Sequence, residues 1–319
     1  MTTARHTQLP QFSGQSLLTD GGLETVLIFE MGFDLPEFAS FPLLDTPDGR
    51  TALDTYYADF IDVAINQRVG IVLETPTWRA SADWGQILGY DAANLDRINQ
   101  AAIAFLRNIA ERRETPETPI IVSGNIGPRG DGYTPGDQMT VDEAEAFHTP
   151  QIASLADAGA DMVTIMTVTY AEEGIGAAKA AAGIGIPIVV SFTVETDGSL
   201  PTGQPLGEAI EQAEAATGGS PASYGINCAH PDHFASTLSD GGRWVNRIGL
   251  VRANASRMSH QELDNAEELD AGDRDELGQL HRNLRTLLPS LTVLGGCCGT
   301  DAGHVAAIAA ACFDSTDVL

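Results

Sequence analysis

Eight short apolar runs, separated by longer amphipathic stretches, recur along almost the whole chain. The runs are continuous rather than alternating, which is typical of parallel strands buried on both faces of a sheet. They lie at 17–22, 71–77, 120–127, 162–168, 187–194, 223–229, 248–254 and 291–299. Eight strand–helix units on one chain predict a closed (β/α)₈ TIM barrel of the α/β class. Because no G-x-G-x-x-G turn follows any of these strands, an open dinucleotide-binding sheet is disfavoured.

The stretches between the runs predict helices. The segment 101–114 shows apolar residues at the 3.6-residue spacing of a helix with one buried face. Helices are expected at 94–114, 142–158, 171–183, 205–216, 275–288 and 302–311. The acidic stretch 259–277 is expected to be a solvated face or an extended loop. Without internal repeats or low-complexity linkers, we expect one barrel domain spanning residues 1–319.

The excess of acidic over basic residues argues against some classes of binding partner. The 44 acidic residues outnumber the 17 basic ones, giving a formal net charge of −27. Such a surface repels phosphate backbones and anionic membranes, so neither nucleic acid nor membrane is an expected partner. No stretch reaches the roughly 18–20 apolar residues that span a bilayer, and the N-terminus lacks the apolar run of a secretion signal. Four cysteines are too few to form a disulfide framework for a chain of this length, so we expect a reduced, cytoplasmic protein. A homo-oligomer is also possible.

Three cysteines stand where barrel enzymes place their active sites, at the C-terminal ends of strands. Cys228 closes the sixth run, and Cys297 and Cys298 close the eighth. Strands six and eight are two apart around a barrel, so their ends can face one another across the mouth. Three thiolates suit Zn²⁺, and three protein ligands leave a fourth position open for substrate. The alternatives are buried apolar thiols, which is the expectation for Cys312, and a disulfide between the adjacent Cys297 and Cys298.

Residues around these thiols fit a metal site. Glycines flank the pair in GGCCGT (295–300), where they permit the unusual dihedral angles that would turn both thiols toward one ion. His230, His233 and His304 are expected mainly as polar residues at helix starts. His230 is the best candidate among them for a fourth ligand or for a hydrogen-bond partner of a ligand.

A thiolate-rich zinc site favours one kind of chemistry. Zinc deprotonates a bound substrate thiol, and three anionic ligands leave that thiolate electron-rich and nucleophilic. We therefore expect alkyl transfer to sulfur rather than hydrolysis. The absence of a phosphate loop favours a sulfonium or quaternary ammonium donor. Aromatic residues near the predicted strand ends could form a wall for such a cation, or could serve only in packing: Trp78, Trp84, Tyr133 and Tyr170.

Three motifs carry a family resemblance: TDGGLET (19–25), GINCAHP (225–231) and LGGCCGT (294–300). Weaker matches are LETPT (73–77), SGNIGPRGD (123–131) and SFTVETDGSLPTGQPL (191–206). The chain resembles the zinc-dependent homocysteine S-methyltransferases, which include betaine–homocysteine methyltransferase, S-methylmethionine-using enzymes and the homocysteine module of methionine synthase. The resemblance implies Zn²⁺ on Cys228, Cys297 and Cys298. It also implies methyl transfer from S-methylmethionine, S-adenosylmethionine or betaine to homocysteine, giving methionine.

The resemblance also implies substrate contacts. Asp20 matches the family's aspartate that meets the amino group of homocysteine, and Gly21 matches a backbone N–H that meets its carboxylate. Asp20 and Glu24 are candidate catalytic residues, although Glu24 could equally be a charge at a helix N-terminus. The remaining substrate-binding candidates are Thr75, Met166 and Asn227.

Met166 departs from the family pattern. Many members carry a glutamate at this position, where it helps to hold the homocysteine amine. Either Glu24, Glu74 or Glu172 supplies the missing charge, or the acceptor lacks an amine. The rival functions are therefore methylation of another small thiol or selenol, and a non-catalytic barrel that binds zinc or thiols.

Overall fold

The structure, a computed structural model, describes residues 9–239, 241–266 and 268–313. Eight parallel strands are hydrogen-bonded in sequence order, and the eighth pairs with the first to close the barrel. They are Leu17–Thr19 (β1), Gly70–Glu74 (β2), Ile120–Ile126 (β3), Met162–Val168 (β4), Ile188–Phe192 (β5), Ser223–Asn227 (β6), Ile248–Ala253 (β7) and Val293–Gly296 (β8). The predicted TIM barrel is confirmed. The ends of the predicted 1–319 domain, residues 1–8 and 314–319, lie outside the described residues.

Helices surround the strands. They are Leu23–Thr25 (α1), Pro47–Gln67 (α2), Ala82–Leu88 (α3), Ala92–Arg113 (α4), Val141–Asp157 (α5), Ala171–Ile184 (α6), Leu206–Thr217 (α7), Pro231–Ser239 (α8), His260–Asp264 (α9), Arg274–Leu287 (α10) and Ala302–Phe313 (α11). Each of the six predicted helices overlaps one of these, with ends that differ by one or two residues. None of the helices within the described ranges is both long and apolar enough to cross a membrane.

The helices begin where side chains replace missing backbone partners. Thr140 accepts a hydrogen bond from the Glu143 N–H, and the Glu143 side chain accepts one from the Thr140 N–H, so α5 starts with a capping box. At the start of α2, Thr46 accepts from the Gly49 N–H. The acidic stretch 259–277, expected to be a solvated face or an extended loop, contains α9 and the first turn of α10. Its described side chains are largely exposed, but His260 is buried.

The two ends of the barrel differ in chemistry. One apolar layer fills the end from which the strands start, formed by Leu9, Leu17, Val72, Ile121, Met162, Val189, Leu250 and Val293. A 3₁₀ turn, Pro10–Ser13, lies against this layer, and Gln11 Nε2 donates to Met162 Sδ at 3.2 Å. Buried polar side chains gather instead where the strands end. The side chains that could take part in catalysis therefore lie at the C-terminal end of the barrel, as in other barrels of this kind.

Of the two glycines before the cysteine pair, Gly295 allows a close approach between strands, whereas Gly296 faces the Thr300 side chain. A Cβ on Gly295 would lie 2.8 Å from the Thr19 carbonyl oxygen and 2.9 Å from that of Asp20. Only Gly299, after the pair, has a left-handed backbone, with φ of 78°. The expectation that all three glycines supply unusual dihedral angles was therefore wrong for Gly295 and Gly296. Gly295 is instead required because β8 and β1 close the barrel at this point.

Replacing Gly295 with Ala should lower the free energy of unfolding by about 1–3 kcal/mol, because the new methyl group collides with main-chain atoms. Gly183→Ala is the matched control, since Gly183 lies in α6 with no atom within 4 Å of an added Cβ. That change should raise the free energy of unfolding by about 0.5–1 kcal/mol through helix propensity. Urea unfolding of both variants measures the difference. Equal effects of the two substitutions would contradict the proposed closure at Gly295.

Candidate active site

A cavity of about 250 Å³ opens at the C-terminal ends of the strands. The nine residues predicted from the sequence as catalytic, substrate-binding or metal-binding all line this cavity: Asp20, Gly21, Glu24, Thr75, Met166, Asn227, Cys228, Cys297 and Cys298. They come from loops or strand ends of β1, β2, β4, β6 and β8. Segments more than 270 residues apart in the chain thus form one wall, as the closed barrel requires.

The cysteines converge because β7 lies between the strands that carry them. The Cys228 N–H donates to the carbonyl of Arg252 at 3.1 Å, and the Cys297 N–H donates to that of Ala253 at 2.8 Å. The sulfurs of Cys228, Cys297 and Cys298 all lie within 4.8 Å of one another. Cys228 and Cys297 are at disulfide distance, whereas Cys298 is free. The disulfide considered from the sequence, between Cys297 and Cys298, is not present, because Cys298 is free.

This cluster fits a soft divalent metal ion when its thiols are reduced. Three sulfur donors from two loops suit the tetrahedral preference of Zn²⁺ and leave one position free. Burial raises the pKa of the Cys298 thiol to about 11. A cation beside it would therefore be needed to keep it ionised at neutral pH. Cys312 lies away from the cluster, on α11, as expected.

The three histidines considered from the sequence have other contacts. His230 Nδ1 accepts from the Asp232 N–H at the start of α8, and burial lowers the pKa of His230 to about 4. His233 Nε2 lies 3.0 Å from the Arg257 carbonyl, and His304 contacts Asp301. None of the three belongs to the metal-ligand cluster found among the described residues.

The histidine near the cysteines is His260, which sequence reasoning missed. Its Nε2 lies 2.8 Å from the Cys228 carbonyl oxygen, and its Nδ1 lies 3.1 Å from the Glu195 carboxylate. Tyr133 stacks on its ring with centroids 4.0 Å apart, and the Tyr133 hydroxyl lies 3.6 Å from Cys298 Sγ. His260 lies in the stretch predicted to be solvated, so charge composition concealed it. His260 thus connects the loop that carries Cys228 to the loop after β3 that carries Tyr133.

Asp20 is paired with an arginine that was also missed. Arg252 Nη2 lies 2.5 Å from Asp20 Oδ1, and both side chains are buried. Burial raises the pKa of the Asp20 carboxyl, and Arg252 opposes that rise. The guanidinium also donates to the Gly296 carbonyl, the Thr19 hydroxyl and the Gly21 carbonyl, at 2.8–3.1 Å. The available signal was a single charge inside an otherwise apolar strand run, IGLVRAN (248–254).

Several nominated polar groups are engaged inside the protein. The Gly21 N–H donates to the Tyr56 hydroxyl at 3.2 Å, and that hydroxyl donates to the Gly21 carbonyl at 3.0 Å. Thr75 Oγ1 accepts from the Asn125 N–H at 2.9 Å. Tyr56 is thus a further residue that sequence reasoning missed, on the buried face of α2.

Asn227 has all its hydrogen bonds within the protein. Its Oδ1 accepts from the Thr167 N–H at 2.9 Å and from the Ser191 hydroxyl at 2.7 Å, while Nδ2 donates to Thr167 Oγ1 at 2.9 Å. These bonds hold Thr167 in a left-handed backbone, with φ of 60°, that non-glycine residues seldom adopt. Thr167 Oγ1 lies 3.9 Å from Cys228 Sγ. Asn227 therefore orders the protein around Cys228.

Of the three glutamates considered as replacements for a charge at Met166, two line the cavity and one does not. Glu172 lies on α6, where it accepts from Gln212 Nε2 at 2.8 Å. Glu24 and Glu74 both line the cavity. Ser40 donates to Glu24 at 2.8 Å, and burial raises the pKa of the Glu24 carboxyl. Burial raises the pKa of Glu74 to about 7.

Of the four aromatic residues considered for a cation-binding wall, two line the cavity and two do not. Trp78 and Tyr133 line the cavity. Trp84 packs on Arg79 outside it, and Tyr170 accepts a hydrogen bond from the Met139 N–H. Arg79 lies between Trp78 and Trp84, with its guanidinium carbon 4.2 Å and 3.6 Å from their ring centroids. One face of each indole is therefore occupied by an internal cation.

Comparisons with known proteins agree with this geometry. The family model for homocysteine S-methyltransferase matches residues 17–312. The selenocysteine Se-methyltransferase of Brassica oleracea var. italica is 22% identical over 94% of this chain and 90% of its own length. The methionine synthase of Mycobacterium leprae is 28% identical over 71% of this chain, which spans only 19% of that larger protein.

Solved structures show the same fold. The oxidised form of the homocysteine methyltransferase MmuM from Escherichia coli superposes with a TM-score of 0.74 at 20% identity, covering 92% of this chain and 95% of MmuM. Its metallated form gives a TM-score of 0.72 at 19% identity, over 94% and 98%. From the extent of the family match, this chain belongs to the homocysteine S-methyltransferase family and is a methyltransferase.

Proposed function

We propose that this protein transfers a methyl group from a cationic donor to the sulfur of homocysteine, giving methionine, with Zn²⁺ held by Cys228, Cys297 and Cys298. The observation that carries the proposal is the meeting of three thiols with several carboxylates in one cavity. The family match supports both the acceptor and the metal. S-methylmethionine, S-adenosylmethionine and betaine are the candidate donors.

The overall reaction moves one methyl group and one proton. A new S–CH₃ bond forms on the acceptor as the donor's S⁺–CH₃ or N⁺–CH₃ bond breaks, and its electron pair stays on the departing neutral donor. The acceptor's thiol proton is released. Zn²⁺, when bound, makes a thiol ionise near neutral pH, whereas a free thiol with a pKa near 8.5 is only a few per cent ionised there.

The chain's own residues bind and orient the reactants. Asp20, fixed by Arg252, faces the acceptor's amino group, and an incoming carboxylate replaces the Tyr56 hydroxyl as the acceptor of the Gly21 N–H. Glu24 adds negative charge to the same wall. Thr75 and Asn227 shape the cavity through their internal hydrogen bonds. Trp78 and Tyr133 present ring surface to a cationic methyl group and exclude water from it.

A second acceptor class has a specific observation in its favour. The relative from Brassica oleracea is named for methylation of selenocysteine. A selenol ionises more readily than a thiol and would use the same cavity. A panel of thiols and selenols, crossed with the three donor types on zinc-loaded protein, distinguishes these acceptors. The same panel tests the non-catalytic alternative, since a barrel that only binds zinc or thiols would give no methylated product.

Replacing Cys228, Cys297 or Cys298 with Ala should abolish both stoichiometric zinc binding and methyl transfer, because two thiolates hold zinc much less tightly than three. The barrel should stay folded, which far-ultraviolet circular dichroism checks. Cys312→Ala is the control and should retain metal and activity, because Cys312 lies on α11 away from the cluster. Metal analysis that finds full zinc occupancy in the Cys297→Ala, Cys298→Ala double variant would refute the ligand assignment.

Replacing Asn227 with Ala should weaken zinc binding by about 10–100-fold, the usual effect of losing a side chain that orients metal ligands. Asn99→Ala is the matched control, because Asn99 is equally buried and also makes three internal hydrogen bonds, far from the thiols. It should lower stability without changing zinc affinity. Competition with a chromogenic chelator measures the affinities. An unchanged affinity in Asn227→Ala would remove its role in ordering the site.

A further inference from the structure

We propose that Glu74 binds the ammonium group of the acceptor and thereby selects amino-acid thiols over thiols that lack an amine. The inference rests on the proposed function, since it concerns the acceptor of that reaction. It assigns to Glu74 a role in substrate specificity.

Of the two carboxylates that are buried in the cavity lining, Asp20 and Glu74, only Asp20 has an ion-pair partner within the described part of the chain. Asp20 is paired with Arg252 at 2.5 Å, and Asp131 faces Arg79 at 3.8 Å. Glu74 is only 4% exposed, and its Oε2 has no hydrogen-bond partner within the described part of the chain. An ionised carboxylate in such a place is unfavourable unless a positive charge joins it.

The nearest positive charge is already committed. Arg252 uses its nitrogens on Asp20, the Thr19 hydroxyl and the carbonyls of Gly21 and Gly296. The Glu74 N–H donates to Asp20 Oδ2 at 3.4 Å, so Glu74 lies directly beside this ion pair. With both carboxylates ionised, Asp20, Glu74 and Arg252 together carry one net negative charge. One ammonium group balances that charge.

Strand β4 offers no carboxylate at the position where many family members carry a glutamate. Met166, which is buried on β4, presents a thioether and no charge. Glu74 is the last residue of β2 and lines the same cavity as the rest of the site. Burial raises the pKa of Glu74; the charge of Arg252 and hydrogen bonds from Ser123 and Thr164 favour the ionised form but do not offset that rise. An acceptor ammonium supplies the stabilisation that is still missing.

Glu24 is the competing carboxylate and provides the comparison variant. It also lines the cavity, from α1, but one of its oxygens accepts from Ser40. Glu74→Gln and Glu24→Gln each remove one negative charge with little change in shape. Comparing the two variants therefore tests whether the position of the carboxylate matters, and not only the total charge of the cavity.

The experiment is calorimetric titration of zinc-loaded protein with homocysteine and with 4-sulfanylbutanoate, the same thiol acid without the amine. In the wild type, homocysteine should bind more tightly. Glu74→Gln should weaken homocysteine binding by about ten- to a hundredfold, the usual effect of losing one charge-assisted hydrogen bond, and should leave 4-sulfanylbutanoate binding unchanged. Unchanged binding of the desamino thiol also shows that the variant is folded.

Three results would overturn the inference: equal weakening of both ligands in Glu74→Gln, no weakening of either, or a selective loss of homocysteine binding only in Glu24→Gln. The proposed function can fail separately. If the wild type binds homocysteine through Glu74 but methylates no thiol from any donor, the function is wrong and the amine site stands. If homocysteine is methylated equally well by wild type and Glu74→Gln at low concentration, the function stands and the amine site is wrong.

Discussion

The buried guanidinium of Arg252 ties together the strands from which the site is built. It carries the only strong ion pair that Asp20 makes in the described structure, and it also bonds carbonyls beyond β1 and at the end of β8. The backbone of the same strand, β7, holds the first residue after β6 and the first after β8. Removing one partner from such a buried network leaves an uncompensated charge, which costs about 3–5 kcal/mol. The positions of the cysteines and of Asp20 are thus parts of one arrangement.

That arrangement suits a zwitterionic acceptor. An amino-acid thiol brings a positive and a negative group as well as its sulfur, and the cavity offers unbalanced carboxylates near a main-chain N–H. The chain's overall charge of −27 has little to do with this, because Asp20, Glu74 and Arg252 are buried. Local pairing decides recognition here, while surface charge governs solubility and long-range attraction.

Much of the site could be predicted from the sequence because the barrel has a simple rule. Strand ends carry chemistry, so cysteines closing the sixth and eighth runs had to meet, and all nine nominated residues line one cavity. Arg252, Tyr56 and His260 were not nominated. Their roles depend on partners 32–233 residues away in the chain, and neither apolar periodicity nor local composition encodes such pairs. Gly295 was found, but for the wrong reason, since close approach of β8 to β1 is a property of the closed sheet.

The most direct test of the central claim follows the methyl group itself. Zinc-loaded protein is supplied with homocysteine and a sulfonium or betaine donor whose transferable methyl carries deuterium, and the products are analysed by mass spectrometry. The account predicts deuterium-labelled methionine in stoichiometric amount with the demethylated donor, and none from the Cys298→Ala variant. Labelled methionine formed equally well by that variant, or no methylated thiol with any acceptor and donor, would contradict it.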